Sequence, residues 1–221
     1  MNLQFAREVK MEVDNEILDG ILAVPEAAKG IVIFSHGSGS GRFSPRNKLV
    51  AERLHKEQIG TLLLDLLTPA EDRNYANRFD IAFLAHRLVG VTQWLEQFDP
   101  CADCAMGYFG ASTGAASALK ASTYLPQVKA IVSRGGRLEM AADILHKVQA
   151  PTLLIVGSRD EDVVRLNEQS VGVLTCEKKL EVVDGASHLF EEDGKLDTVI
   201  ELASSWFSKH LKGVGVEEIP N

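Results

Sequence analysis

The sequence predicts an α/β fold, a mostly parallel, doubly wound sheet of about eight strands with an antiparallel start. Short apolar runs of strand length alternate with helical patterns along nearly the whole chain of 221 residues. The first two strand-like segments differ from the rest, because apolar and polar residues alternate in them with period two. The composition, 45% hydrophobic and 24% charged, is that of a folded globular domain.

An antiparallel pair of strands opens the chain, in which Arg7 to Val13 is followed by the turn-prone Asp14-Asn15 and by Ile17 to Val24. The later strands are continuous apolar runs, as expected for parallel strands that are covered on both faces. They are Ile31 to Phe34, Leu62 to Leu64, Ala105 to Phe109, Ala130 to Val132, Leu153 to Val156, and a last run with Leu180, Val182 and Val183.

Helices are predicted between the strands by capping signals and by apolar residues spaced three and four apart. Ser44-Pro45 places an N-cap before a proline at the first helical position. Two apolar stripes mark further helices, at Ile81, Leu84, Leu88, Val91 and Leu95 and at Leu196, Val199, Ala203 and Phe207. No repeat or linker interrupts the pattern, so we expect one domain over residues 1–211 and a flexible tail over residues 212–221.

Charge and hydropathy exclude several classes of protein. A formal charge of −8 and a pI near 5.3 repel phosphate backbones, so nucleic acid is not an expected partner. No apolar run approaches the ~20 residues of a membrane helix. The N-terminal segment is charged and lacks the apolar core of a secretory signal, so we expect a cytoplasmic protein that does not bind membranes. Cys101 and Cys104 are interpreted as ordinary thiols, since a redox pair needs a following helix and zinc needs more ligands.

The carboxyl ends of the parallel strands are where chemistry is expected in such a sheet. After the strand that ends at Phe109, Gly110-Ala111-Ser112-Thr113-Gly114 fits the G-x-S-x-G pattern of a nucleophile elbow. An elbow strains the serine backbone and needs small neighbours two residues away on either side. Ser112 is therefore the predicted nucleophile, and a serine that merely caps a tightly packed helix is the simpler alternative.

An acid and a histidine follow the serine in chain order. Asp160 lies in the loop after Leu153 to Val156, and His188 lies in the loop after the last strand. The order Ser, Asp, His is that of an α/β-hydrolase triad. Asp160 could instead cap the helix that follows it. The other histidines fall on helical patterns or, in the case of His36, come too early in the chain.

A glycine-rich loop, Ser35 to Gly41, follows the strand that ends at Phe34. Backbone N–H groups of such a loop can approach a substrate oxygen, so Ser38 and Thr113 are the predicted oxyanion donors. A dinucleotide fingerprint is the competing interpretation, but Arg42 stands where G-x-G-x-x-G requires its last glycine.

Arg134 lies in Ser133-Arg134-Gly135-Gly136-Arg137, which follows another strand at the same edge. Solvated charges and ion pairs at helix starts are ordinary roles for such an arginine. The alternative hypothesis is a substrate clamp, because a guanidinium can bind a carboxylate through two hydrogen bonds.

These loops together resemble the α/β-hydrolase superfamily and, within it, the dienelactone hydrolase family. The segments that carry the resemblance are HGSGSGRFSPRN (His36 to Asn47), GYFGASTGAA (Gly107 to Ala116), SRGGR (Ser133 to Arg137), GSRDEDV (Gly157 to Val163) and GASHLFEE (Gly185 to Glu192). The dienelactone hydrolases that give the family its name use a cysteine nucleophile. With Ser112 in that place, the chain is similar to the serine-bearing branch, whose members are largely esterases.

We therefore expect a serine hydrolase that cleaves a small ester or lactone through an acyl-enzyme, with no metal or organic cofactor, as a monomer or homodimer. A thioesterase, acyltransferase or perhydrolase with the same triad stays open, as does a non-catalytic binding module with a hydrolase-like fold. Ser133 to Ala150 leaves room for one helix, so we expect no lid domain and an open site that favours short esters.

Overall fold

The computed structural model describes residues 3–102 and 104–212, and the predicted tail after Lys212 lies outside the described residues. Within them the chain forms eight strands and five α-helices. The strands are β1 (Leu3–Val13), β2 (Glu16–Pro25), β3 (Gly30–Ser35), β4 (Ile59–Leu64), β5 (Ala105–Ala111), β6 (Val128–Arg134), β7 (Thr152–Gly157) and β8 (Lys178–Val183). The helices are α1 (Pro45–Lys56), α2 (Ile81–Glu96), α3 (Thr113–Ser122), α4 (Glu161–Val173) and α5 (Lys195–His210).

The strands form a single sheet in the order β1-β2-β4-β3-β5-β6-β7-β8. β1 pairs antiparallel with β2, β2 pairs antiparallel with β4, and every later neighbour is parallel. Asp14 and Asn15 turn the first hairpin with φ of 54° and 64°, left-handed values that asparagine and aspartate tolerate better than most residues. The predicted fold class is confirmed.

Helices cover both faces of the sheet, which explains why its central strands are continuously apolar. In β3, Ile31 and Ile33 belong to the core under α2 and α3, whereas Val32 and Phe34 belong to the core under α1 and α5. The central strands are therefore buried on both sides, and polar side chains collect in the loops at the strand ends.

The segment between β6 and β7 holds two 3₁₀ turns, Leu138–Ala141 and Leu145–Lys147, in place of the one helix for which the sequence left room. Gly135, directly after β6, has a φ of +55°, a left-handed value that glycine adopts readily, and it turns the chain at the end of the strand. The turns bury Leu138 and Leu145. Among the described residues no lid is inserted here, and no helix has the length and apolar character needed to cross a membrane.

Cys101 lies buried at the opposite, amino-terminal end of the parallel strands. Burial raises the pKa of its thiol to about 12, so the thiolate does not form near neutral pH. This agrees with the interpretation of Cys101 as an ordinary thiol.

Candidate active site

Ser112 sits at a sharp turn between β5 and α3, where the sequence predicted an elbow. Its backbone has φ 52° and ψ −121°, and its side chain does not cap the helix. A Cβ on Gly110 would lie 2.4 Å from Ala115 Cα, and one on Gly114 would lie 2.0 Å from the Ser35 carbonyl oxygen. Both glycines are thus required sterically, and the simpler alternative of a capping serine is wrong.

Backbone hydrogen bonds fix the elbow to the end of β6. The Ser112 N–H donates to the Arg134 carbonyl at 3.1 Å, and the Ser112 carbonyl accepts from the N–H groups of Ala115 and Arg137, each at 3.1 Å. A strained residue persists when its surroundings hold it in several directions, as here.

His188 and Asp160 come together above the carboxyl ends of β7 and β8. His188 Nδ1 lies 2.5 Å from Asp160 Oδ2. Asp160 occupies the N-cap position of α4, yet its side chain makes no capping bond. The carboxylate is directed to the histidine, so the alternative of a helix cap is wrong. With Nδ1 bound to the acid, Nε2 is the ring nitrogen left to exchange a proton.

The loops that carry this pair are joined to each other. Ser158 Oγ accepts from the Gly185 N–H at 2.7 Å, and the Arg159 N–H donates to the Ala186 carbonyl at 2.9 Å. Both oxygens of Glu192 accept from the Ser187 N–H at 3.1 Å, and this bonding lowers the pKa of Glu192. The sequence analysis did not identify Glu192, because its bond to the Ser187 N–H forms only when the chain turns back between these two residues, which are five positions apart.

Ser112 and His188 line one cavity of about 720 Å³ at this edge of the sheet. The structure shows no hydrogen bond between the Ser112 hydroxyl and the His188 ring; in unliganded enzymes such bonds are often long. Gly135 packs against the histidine, since a Cβ there would lie 3.1 Å from His188 Cε1. The exposed side chains of Phe43 and Leu189 give the cavity an apolar wall.

The predicted oxyanion donors, Ser38 and Thr113, lie side by side, but the Ser38 N–H is already hydrogen-bonded. The Ser38 N–H donates to Thr113 Oγ1 at 3.1 Å. The loop lies against the elbow, since a Cβ on Gly37 would approach Ser112 Cβ to 3.2 Å. His36 anchors this loop, with Nδ1 2.9 Å from the Gly37 carbonyl and Nε2 accepting from the Leu66 N–H at 3.2 Å. Burial lowers the pKa of His36, which keeps it neutral and outside the triad.

Arg134 is buried beside His188, with only 7% of the residue exposed, so the prediction of a solvated charge is wrong. Among the described residues it forms no ion pair, so the alternative of a pair at a helix start is also wrong. Its Nη1 makes one long contact, 3.5 Å, with the His188 carbonyl, and its Nε has no partner. Burial and the nearby Arg46 lower the pKa of Arg134 to about 10.

Arg46 was missed by the sequence analysis, although the Ser44-Pro45 signal places it in the first turn of α1. The cavity is lined by Ser44, Pro45 and Arg46 on that side. Across the described residues, no group of three His, Cys, Asp or Glu side chains is placed to hold a metal ion.

Solved structures resemble this chain over nearly its whole length. A dienelactone hydrolase from Anabaena variabilis is 46% identical, with a TM-score of 0.92 over 96% of this chain and 100% of that one. Est1E from Butyrivibrio proteoclasticus, at 16% identity and a TM-score of 0.78 over 91% of this chain and 98% of its own, shares the fold.

Two curated proteins of Mycobacterium tuberculosis, from strains CDC 1551 and H37Rv, are 54% identical over 197 residues, or 89% of this chain. Both are provisionally named phosphoribosyl transferases. The chain spans 44% of their length, so more than half of each lies outside the match. No family model matches the chain.

Proposed function

Because the chain belongs to the dienelactone hydrolase-like family of α/β hydrolases, we propose that it is a serine hydrolase for a small ester or lactone. One observation carries the proposal: the strained Ser112 shares a cavity with a histidine that is held by a carboxylate at 2.5 Å. A nucleophile, a base and a group that orients the base are the parts that acyl transfer needs.

In the proposed reaction, His188 Nε2 takes the Ser112 proton as the hydroxyl attacks the ester carbonyl. The histidine then gives that proton to the leaving alcohol, and an acyl-enzyme remains. Water attacks the acyl-enzyme with His188 again as base, which releases the acid and restores Ser112. Asp160 orients the ring and stabilises its positive charge.

The oxyanion that forms on the carbonyl is assigned to the N–H groups of Thr113 and Ser38. The Ser38 N–H would exchange the Thr113 hydroxyl for the substrate oxygen, so this donor becomes available as substrate binds. Removing one such donor in other enzymes costs about 3 to 4 kcal/mol of transition-state stabilisation. Arg134 is assigned to substrate binding, because it faces the same cavity and has no charge partner in the described chain.

Substrate size is inferred from the cavity, which opens between loops with no inserted lid in the described residues. We therefore expect short, water-soluble acyl chains to be preferred to long ones. A cytoplasmic location and a monomeric or homodimeric state stay predictions.

The name of the curated relatives belongs to proteins more than twice as long as the match. It does not decide what the matching part does. The triad also suits thioesters or an acyl acceptor other than water, and product analysis separates these activities from ester hydrolysis.

The test is labelling with a fluorophosphonate, which modifies activated serines. We expect the wild-type protein to gain one label at Ser112, found by peptide mass spectrometry, and to lose ester hydrolysis. Ser112→Ala should be neither labelled nor active. Ser208→Ala, an exposed position on α5 outside the cavity lining, is the matched control and should be labelled like the wild type. An unlabelled wild-type protein would indicate a binding module, and a label elsewhere would move the nucleophile.

A further inference from the structure

A buried cation without a counter-ion faces the catalytic cavity. Arg134 is 7% exposed, lines the cavity and has no carboxylate partner among the described residues. Leaving a guanidinium in this state is unfavourable, because burial removes its hydration and no acid replaces it. A second guanidinium, that of Arg46, lines the same cavity close enough to repel it.

The cavity also receives the positive end of a helix. Helix α1 has 12 residues and begins at Pro45, with Ser44 as its N-cap. Ser44 and Pro45 line the cavity. Unpaired N–H groups and the helix dipole make such an end favourable for anions. The helix end and the Arg134 guanidinium, which has no acid partner in the described chain, are independent observations that point to the same ligand charge.

We propose that this side of the cavity is a subsite for a phosphate group carried by the ester substrate, held between Arg134, Arg46 and the first turn of α1. The inference rests on the proposed function: the carboxylic ester is cleaved at Ser112, and the phosphate stays intact and serves for recognition.

The charges favour a doubly charged group. Arg46 Nη1 lies 2.9 Å from Glu191, whose side chain is 63% exposed. The Arg46 side chain is 29% exposed, so the pair is open to solvent mainly on the side of its carboxylate, and Glu191 can return to water when Arg46 binds a ligand. Two guanidiniums and a helix end then face the ligand. A carboxylate would neutralise one of these charges, whereas a phosphate dianion neutralises two and offers enough oxygens for both arginines.

The test compares three 4-nitrophenyl esters of similar acyl length: the butanoate, the succinate and the 3-phosphonopropanoate. We expect the wild-type kcat/KM for the phosphonate ester to exceed that for the butanoate by about tenfold or more. Arg134→Met and Arg46→Met should each lower this ratio by about tenfold, mainly through KM. Arg53→Met removes the same charge from α1 at a position outside the cavity lining and should leave the ratio unchanged.

Two outcomes of the ester comparison overturn the proposal. A succinate ester used as well as the phosphonate ester would show that a second charge is not recognised. Equal losses on all three esters in Arg134→Met would make the arginine a structural support of His188. If none of the esters is cleaved, the proposed hydrolase function is wrong, whatever the subsite binds. The subsite is then tested by calorimetry, which measures the binding of inorganic phosphate to the wild-type and Arg134→Met proteins. Wild-type binding that the variant loses supports the subsite, and equal or absent binding overturns it.

Discussion

Two arginines are buried among the described residues, and only one of them has carboxylates beside it. Arg87, on α2 under the first hairpin, is 3% exposed, and Arg134, at the end of β6, is 7% exposed. Arg87 donates to the Val13 carbonyl at 2.6 Å and forms an ion pair with Glu71. Asp14 lies 3.7 Å away. The Nε atoms of both arginines lack partners, so the difference between the regions is the carboxylates.

This difference separates a structural charge from a functional one. Around Arg87 the chain provides its own acids, and the cation joins the end of β1, the hairpin turn and the loop before α2. Around Arg134 the described chain provides none, although the residue adjoins Ser112 and His188. A buried cation that the chain itself does not neutralise is expected where a ligand supplies the missing charge.

The largest expected effect lies in the catalytic region and tests which carboxylate orients His188. Asp160→Asn should lower kcat for ester hydrolysis by about 10³- to 10⁴-fold, on the scale of the equivalent change in a serine protease triad. The free energy of unfolding should change little by comparison. Asp162→Asn is the matched control, because the Asp162 side chain is 87% exposed and, within the described chain, pairs with Arg165 alone. If Asp162→Asn proves the more damaging, the assignment of the acid is wrong.

The next effect should appear in stability and in the other region. Arg87→Met leaves Glu71, whose side chain is 18% exposed, without its buried partner. Breaking such a pair costs about 3 to 5 kcal/mol, so the free energy of unfolding in urea should fall by that order. The surviving folded protein should keep its kcat. A loss below about 1 kcal/mol would contradict the structural role of Arg87.

Arg134→Met should not lower the free energy of unfolding, in contrast to Arg87→Met. Replacing an unpaired buried cation by an apolar side chain of similar length removes a desolvation penalty, so stability should be unchanged or raised by about 1 kcal/mol. Urea unfolding of both methionine variants under the same conditions gives the comparison directly. A destabilisation equal to that of Arg87→Met would mean that the Arg134 charge stabilises the fold.

Much of the fold and the positions of the candidate triad residues could be predicted because the signals are local. Continuous apolar runs located the parallel strands, and their order fixed which loops share an edge. Ser112 was identifiable because the elbow needs glycines at fixed spacing, and Asp160 and His188 follow strands that end at the same edge.

Other features depend on contacts that local sequence does not express. Arg46 looks like any charge in a first helical turn, and only the position of α1 brings it to Arg134. The burial of Arg134 itself was not predictable from its surface-type residue class. After β6 the chain forms two 3₁₀ turns in place of a helix, and no local pattern in the sequence distinguishes the two outcomes.

The smallest effect concerns a buried group that, unlike an arginine, can release its proton near neutral pH. Burial lowers the pKa of His36 in the folded protein, whereas an unfolded histidine titrates near 6.5. Below that pH the unfolded chain gains a proton that folded His36 does not, so the free energy of unfolding should fall on acidification, by at most about 1.4 kcal/mol per pH unit. His55 and His210 have lowered pKa values and contribute in the same direction.

Urea unfolding between pH 7.5 and pH 5.5 should therefore show a free energy of unfolding that falls with pH. His36→Asn should reduce the slope of that fall, and His146→Asn, at an exposed position, should preserve it. A slope unaffected by His36→Asn would show that His36 takes up its proton in the folded loop as it does in the unfolded chain, so that burial does not lower its pKa.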